Sequence, residues 1–369
     1  MRKFKRMNRI GGILGIILIA ALLSVGGSGE FQITSDPKGQ GNPAIYANIV
    51  VWEDNRNGND DIYGYDLSTG EEFQITTNEN SQEEPAIYKD IVVWMDYRND
   101  NWDIYGYNLS TKEEFQITDN FCTQWHPSIY KDNVVWEDHR NGKADIYVYN
   151  LSTGEEFRIT KDTNFQISPA IYGDIVVWED HRDHDSNHNW DIYGYNLSTG
   201  EEFPIAVNRG DRVHPRVYKD IVVWQDCRND NWDVYGLNLS TGEEFQITTE
   251  PYSEVHPAIY EDTIIWVERI DIECYVYGYS LSRSEGFQLT TEAGKLDLPA
   301  VYGNIVVWMD LRNGDGDIYG YDLTSTILEK PEEPKNEDGI CLGTVFVVLT
   351  LAGSFKPWFN RRIRLKIQQ

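Results

Sequence analysis

The side chains best suited to chemistry fall into several groups, and each group returns along the chain. Three histidines, His126, His214 and His256, stand directly before a proline, and Asn42, Glu84, Ser168 and Leu298 hold the same place elsewhere. Drawn into one ring, such imidazole, carboxylate and amide groups would suit a cation or a sugar. Aspartate and arginine recur as Asp54 with Arg56, Asp96 with Arg98, Asp138 with Arg140, Asp180 with Arg182, Asp226 with Arg228 and Asp310 with Arg312. One catalytic centre needs such a pair once, so the copies point to a structural network in which guanidinium groups bridge carboxylates and loop carbonyls between neighbouring units. The hairpins that follow gather hard oxygens: Asp54, Asn57, Asn59 and Asp61, and again Asp310, Asn313, Asp315 and Asp317. Calcium is the cation such loops would take, although the spacing is not that of an EF-hand and tight Asn-Gly turns use the same residues. One longer loop carries His181, Asp183, His184, Asp185 and His188, which reads either as a transition-metal set or as an exposed polar loop.

Four tryptophans outside the regular pattern, Trp102, Trp125, Trp190 and Trp232, would stack on sugar rings or peptide side chains, or seal the apolar ends of the units. Asn108, Asn150, Asn196 and Asn238 each begin Asn-Leu-Ser, a formal N-glycosylation acceptor. Asp66 and Asp322 fill the same position, so an Asx turn explains the residue type equally well. No nucleophile or acid pair stands apart, and a non-enzymatic role is the expectation.

What positions these groups is a repeat. Trp52, Trp94, Trp136, Trp178, Trp224, Trp266 and Trp308 are separated by 42 residues, except for 46 between the fourth and fifth. One unit, Pro43 to Thr76, divides into four strands: PAIY, the continuous apolar IVVW, the alternating DIYGYDL and EEFQIT. Each four-stranded sheet has two apolar faces and cannot bury them alone, so neighbours must stack around an axis. The seventh unit lacks a good fourth strand, while an orphan copy, EFQIT at 30–34, precedes the first. The predicted fold is therefore all-β: a seven-bladed β-propeller of four-stranded antiparallel blades, with strand 30–34 closing the last blade.

The formal charge is −28, and the 60 Asp and Glu lie between Glu30 and Asp338, leaving that region with about −38. Such a surface repels phosphate backbones, so nucleic acid is excluded as a partner; cations, basic proteins and neutral glycans fit better. Cys122, Cys227, Cys274 and Cys341 show no metal-site spacing, and a disulfide among the first three is left open. Residues 1–29, basic and then uncharged and apolar, read as a signal peptide or signal anchor, with Ser24 and Gly26 permitting cleavage. The propeller is assigned to 30–328, an acidic Pro-containing linker to 329–339, a C-terminal membrane segment to 340–358 and a basic cytoplasmic tail to 359–369. These ends predict a membrane-anchored protein with the propeller outside the cell; a secreted protein is the alternative.

The unit PAIY..IVVWEDxRNGNxDIYGYDLSTGEEFQIT resembles the repeats of TolB-like propellers and is most similar to surface repeat proteins of methanogenic archaea, over about residues 30–324. The C-terminal linker, apolar run and arginine cluster also resemble archaeal surface-protein sorting signals, without their Pro-Gly-Phe motif. The resemblance implies a cell-surface module that recognises a protein or glycan of the envelope. A metal-dependent polysaccharide lyase or hydrolase at the channel mouth and a purely architectural envelope protein are the alternatives.

Overall fold

The computed structural model describes residues 29–182, 189–207 and 210–324. Within them the chain forms seven four-stranded antiparallel sheets, six with strands in chain order. Blade one comprises Gln40–Tyr46, Ile49–Asp54, Asp61–Asp66 and Glu71–Gln74, innermost to outermost. Blade seven is completed from the other end of the chain: Glu30–Gln32 pairs antiparallel with Asp317–Asp322 outside Ile305–Asp310 and Leu296–Tyr302. The predicted seven-bladed propeller and its closing strand are thus the observed architecture. The signal segment, most of the loop holding Asp183, His184, Asp185 and His188, and the linker, membrane segment and tail lie outside the described residues.

Closure has a specific chemistry. Arg312 Nη1 reaches Glu30 Oε1 at 2.7 Å, and the Ile318 amide donates to Thr34 Oγ1 at 2.8 Å. Phe31 lies over Gly320, where an added Cβ would come within 2.6 Å of the ring. Glycine in the third strand therefore makes room for the phenylalanine of the fourth, here supplied from 286 or more residues away by a ring that has closed.

The core lies between blades. Trp94 packs with Val51, Ile62 and Ile75 of blade one and with Ile87, Val92 and Tyr105 of its own blade. The same arrangement carries blade seven onto blade one, where Val307 and Ile318 meet Val50, Trp52 and Tyr63. Six of the seven repeat tryptophans are fully buried. Each removes about 200 Å² from water, worth on the order of 5 kcal/mol in transfer terms. This burial is available only when a neighbouring blade is present, which is why the repeat must close.

At one end of the channel the first strands finish in a complete ring of tyrosines, Tyr46, Tyr88, Tyr130, Tyr172, Tyr218, Tyr260 and Tyr302, with neighbouring centroids 4.4–5.0 Å apart. Burial and the neighbouring phenols together raise the pKa of Tyr46, Tyr172 and Tyr260, because a phenolate would be poorly hydrated and would repel the next ring.

Candidate functional site

The opposite end of the channel is built on a local irregularity. In every first strand the pairing register shifts just before the proline, as between Gly41 and Ala44 in blade one. The residue at the shift is left-handed in all seven blades: Asn42, Glu84, His126, Ser168, His214, His256 and Leu298 have φ of 47–54°. None is glycine, so each position carries backbone strain, on the order of 1 kcal/mol. The bulge withdraws the residue's amide from the ladder and turns its side chain to the channel.

In blades two to six the freed amide is met by the residue after the repeat tryptophan of the preceding blade, whereas in blade seven Leu298 N donates to Asp297 Oδ1. Glu84 N donates to Glu53 Oε2 at 3.2 Å, His214 N to Glu179 Oε1 at 2.9 Å and His256 N to Gln225 Oε1 at 2.8 Å. Polar residues in an otherwise apolar strand were the sequence signal for this latch, and the sequence analysis did not assign them a role.

All seven left-handed residues line one central cavity of about 460 Å³. Its sides are chemically unequal. On one side His126 Nδ1 lies 3.0 Å from Glu137 and its Nε2 3.6 Å from Glu84. Burial opposes charging His126, but these carboxylates outweigh it and raise its pKa. Glu137 also holds His139 at 2.8 Å, and His139 packs edge-on against Trp125. On the other side His256 Nδ1 is hydrogen-bonded to Asp297, which also takes Arg269 Nη2 at 3.0 Å. His214 meets His256 edge-on at 4.8 Å; burial, then electrostatic repulsion from the His256 ring, push its pKa down to about 3. Its Nδ1 is buried without a hydrogen-bond partner.

Arg216 is the residue that sequence reasoning passed over. The position after the proline is Ala44, Ala86, Ser128, Ala170, Ala258 and Ala300 in the other blades, and Arg216 in blade five. Its side chain is solvent-exposed only in the sense that it faces the cavity, since protein surrounds it. Burial lowers its pKa while Glu179 and Glu84 act in the opposite direction; a guanidinium nonetheless stays charged at neutral pH. Burial pushes Glu179 up to about 7, and burial with the nearby Glu137 carboxylate raises Glu84, so the carboxyls in and around the cavity carry less negative charge than their number suggests.

The remaining sequence candidates separate from the cavity. Asp138 accepts from the Trp136 indole at 2.9 Å and from Arg140 Nη2 at 2.6 Å, while Arg140 Nη1 reaches Glu156 at 2.5 Å and the guanidinium covers Tyr147 at 4.3 Å. The Asp54–Arg56, Asp96–Arg98, Asp180–Arg182 and Asp226–Arg228 pairs repeat this arrangement with Glu72, Glu114, Glu202 and Glu244. The expectation of bridges between blades is corrected: each arginine ties the second strand to the fourth of its own blade, because the hairpin that carries it folds back over the third-strand tyrosine. Asp310 with Arg312 is the variant that joins the chain ends.

The hairpin oxygens do not assemble as a cation cage. Asn57 donates to Asp61 at 2.7 Å and to the Tyr63 hydroxyl, and Asn59 donates to the carbonyls of Asn78 and Asn80, both at 3.0 Å. Asn313 likewise donates to Asp317 at 2.8 Å, and Asp315 is exposed. The amides thus turn nitrogen, not oxygen, toward the carboxylates. Among the described residues no three His, Cys, Asp or Glu side chains are placed so that they could hold one ion together.

Trp102, Trp190 and Trp232 on loops of the cavity's face, and Trp125 in the strand Gln124–Tyr130, are half-buried but do not line the cavity. Trp102 packs on Tyr97 and Trp190 on His181. The Asn-Leu-Ser turns lie at the opposite, tyrosine end; Asn108 Oδ1 accepts from Ser110 N at 2.9 Å and Oγ at 2.7 Å, and Asn150, Asn196 and Asn238 repeat the turn. Cys122, Cys227 and Cys274 are free thiols on different blades, which answers the open disulfide question in the negative for these three.

No family model and no curated protein matches the chain. Among solved structures, TolB from Acinetobacter baumannii is 17% identical with a TM-score of 0.51, over 65% of this chain and 62% of that one. This chain thus spans less than two thirds of that TolB's length. Oligogalacturonate lyase from Vibrio parahaemolyticus matches with a TM-score of 0.62 and 14% identity, over 79% of this chain and 93% of that one. The β-propeller domain of the trilobed protease from Pyrococcus furiosus gives 0.63 and 14%, over 78% and 95%. At such identities the likeness shows the fold and leaves function to the site. The chain has a TolB-like β-propeller fold.

Proposed function

We propose that this protein is a non-enzymatic recognition module of the cell envelope, anchored at the membrane through its terminal segments and binding an envelope component through the channel mouth. The observation that carries this reading is where the repeat stops repeating. Proline, tyrosine and the Val-Val-Trp run recur almost unchanged, whereas the seven strained channel positions hold Asn, Glu, His, Ser, His, His and Leu. A scaffold alone has no use for five different kinds of side chain at seven equivalent left-handed backbone positions; an asymmetric ligand does. The test is binding of the full chain to separated envelope proteins and glycans, with Glu84→Ala/His126→Ala and Lys131→Ala, at the tyrosine end, compared. Loss in the first and retention in the second is expected; saturable binding equal in both, or none, refutes the reading.

One observation favours an enzyme as the second reading. Asp297 fixes one nitrogen of His256 in the cavity, the arrangement that orients a general base. Unsaturated or hydrolysed product from a uronate polymer, lost in His256→Ala, would decide for it.

A further inference from the structure

We infer that the cavity takes a single carboxylate, the C-terminal carboxylate of a basic polypeptide, with Arg216 as its anchor. The inference rests on the recognition reading above and names its ligand class. Six blades place alanine or serine after the proline, and blade five places an arginine that faces the cavity. Among the described residues Arg216 forms no ion pair; its one hydrogen bond runs from Nη1 to the carbonyl of the adjacent Pro215 at 2.9 Å. Its planar fork is therefore available for a bidentate carboxylate. His214, two residues away and also lining the cavity, keeps a buried Nδ1 without a partner. It is neutral, so it neither competes for the ligand nor adds a second anchoring charge.

Charge selects the kind of carboxylate. The region from Glu30 to Asp338 carries about −38, so a polyanionic chain such as a polyuronate is repelled before it reaches one arginine. A polypeptide with basic residues and one terminal carboxylate is attracted along its length and neutralised at its tip. Apolar side chains lie on loops of the same face: Phe121 and Ile272 are 86% and 85% exposed, and Tyr97 and Tyr252 are exposed as well. The cavity, about 460 Å³, lies within the range of about 300–1,000 Å³ that ligand sites occupy.

The experiment titrates the full chain with acetyl-Lys-Ala-Ala bearing a free C-terminus, the same peptide as its amide, and D-glucuronate. The free acid is expected to bind at least about tenfold more tightly than the amide, the contribution of a charge-assisted pair. Arg216→Ala, which installs the residue found in five sister blades, should remove this preference without moving the thermal midpoint; Arg216→Lys should keep only part of it. Equal binding of acid and amide, no binding of either, or a preference that survives in Arg216→Ala overturns the inference. So does glucuronate bound more tightly than the peptide through Arg216, which would assign the cavity to an acid sugar. An envelope component still bound by Arg216→Ala leaves the recognition reading standing while sinking this one; the peptide result without any envelope partner does the reverse.

Discussion

Replacing Asp138 by alanine tests the claim that the Asp-Arg pairs are structural. Asp138 is fully buried and accepts from the Trp136 indole at 2.9 Å and from Arg140 at its backbone N, Nε and Nη2, at 2.9, 2.9 and 2.6 Å. Without the carboxylate the indole N–H has no water to turn to, costing about 1–3 kcal/mol. The Arg140 backbone amide loses its acceptor as well, for about 1 kcal/mol. The guanidinium adds only about 1 kcal/mol more, because it remains partly exposed and keeps Glu156 at 2.5 Å. The total is about 3–5 kcal/mol, within the range for breaking a buried ion pair and a large share of a typical domain's 5–15 kcal/mol. At about 2 °C per kcal/mol for a chain of this size, the midpoint should fall by about 6–10 °C. Asp138→Asn keeps one acceptor and should cost about half as much. Glu156→Ala, at the solvent end of the same network, should cost under about 1 kcal/mol. Calorimetric unfolding of the full chain would measure all three. A loss from Asp138→Ala no larger than that from Glu156→Ala would mean that the buried end of the pair does not hold the blade together. Blade six shows that the ring survives one such defect: Glu268 stands in place of the aspartate, Ile270 in place of the arginine, and the Trp266 indole N–H is buried without an acceptor.

Burial, reinforced by Asp233, Glu268 and Glu250, pushes Glu254 from 4.5 up to about 8, so the folded chain holds a proton that the unfolded chain releases. Stability is therefore greatest below about pH 4.5 for this group and falls as pH rises toward 8; Glu254→Gln, matching Gln40, Gln82, Gln124 and Gln166, should flatten the fall in midpoints measured from pH 5 to 9. In a proton NMR titration His126 should charge above the ordinary histidine range, while His214 should stay neutral down to about pH 3; His214 titrating near 6.5 would contradict the account of the cavity. Thr34→Val removes the acceptor of the Ile318 amide at the ring closure and should cost about 1–3 kcal/mol in the same unfolding assay. Calorimetric titration with calcium should give no saturable heat, since Asp61 and Asp317 are already occupied by asparagine donors.

Periodicity alone determined the architecture. A 42-residue interval, apolar IVVW runs and an orphan EFQIT strand leave few ways to bury seven two-faced sheets, so blade number, strand count and the closing strand were legible without coordinates. The ring of Asn42, Glu84, His126, Ser168, His214, His256 and Leu298 was legible too, because the following proline marks its position in each unit. Which of the repeated groups meet is set by the folded ring and not by the repeat. The arginine pairs turned within their blades because hairpin geometry sets their reach, which the residue types do not encode. Arg216 has no role legible in the sequence, because only closure of the ring puts it in a cavity, where the charge it carries, the neutral His214 nearby and the latching carboxylates of adjacent blades act on one another. Strand pairing inside a blade follows from sequence spacing, whereas contacts across the channel depend on a ring that exists only after the first and last strands have paired.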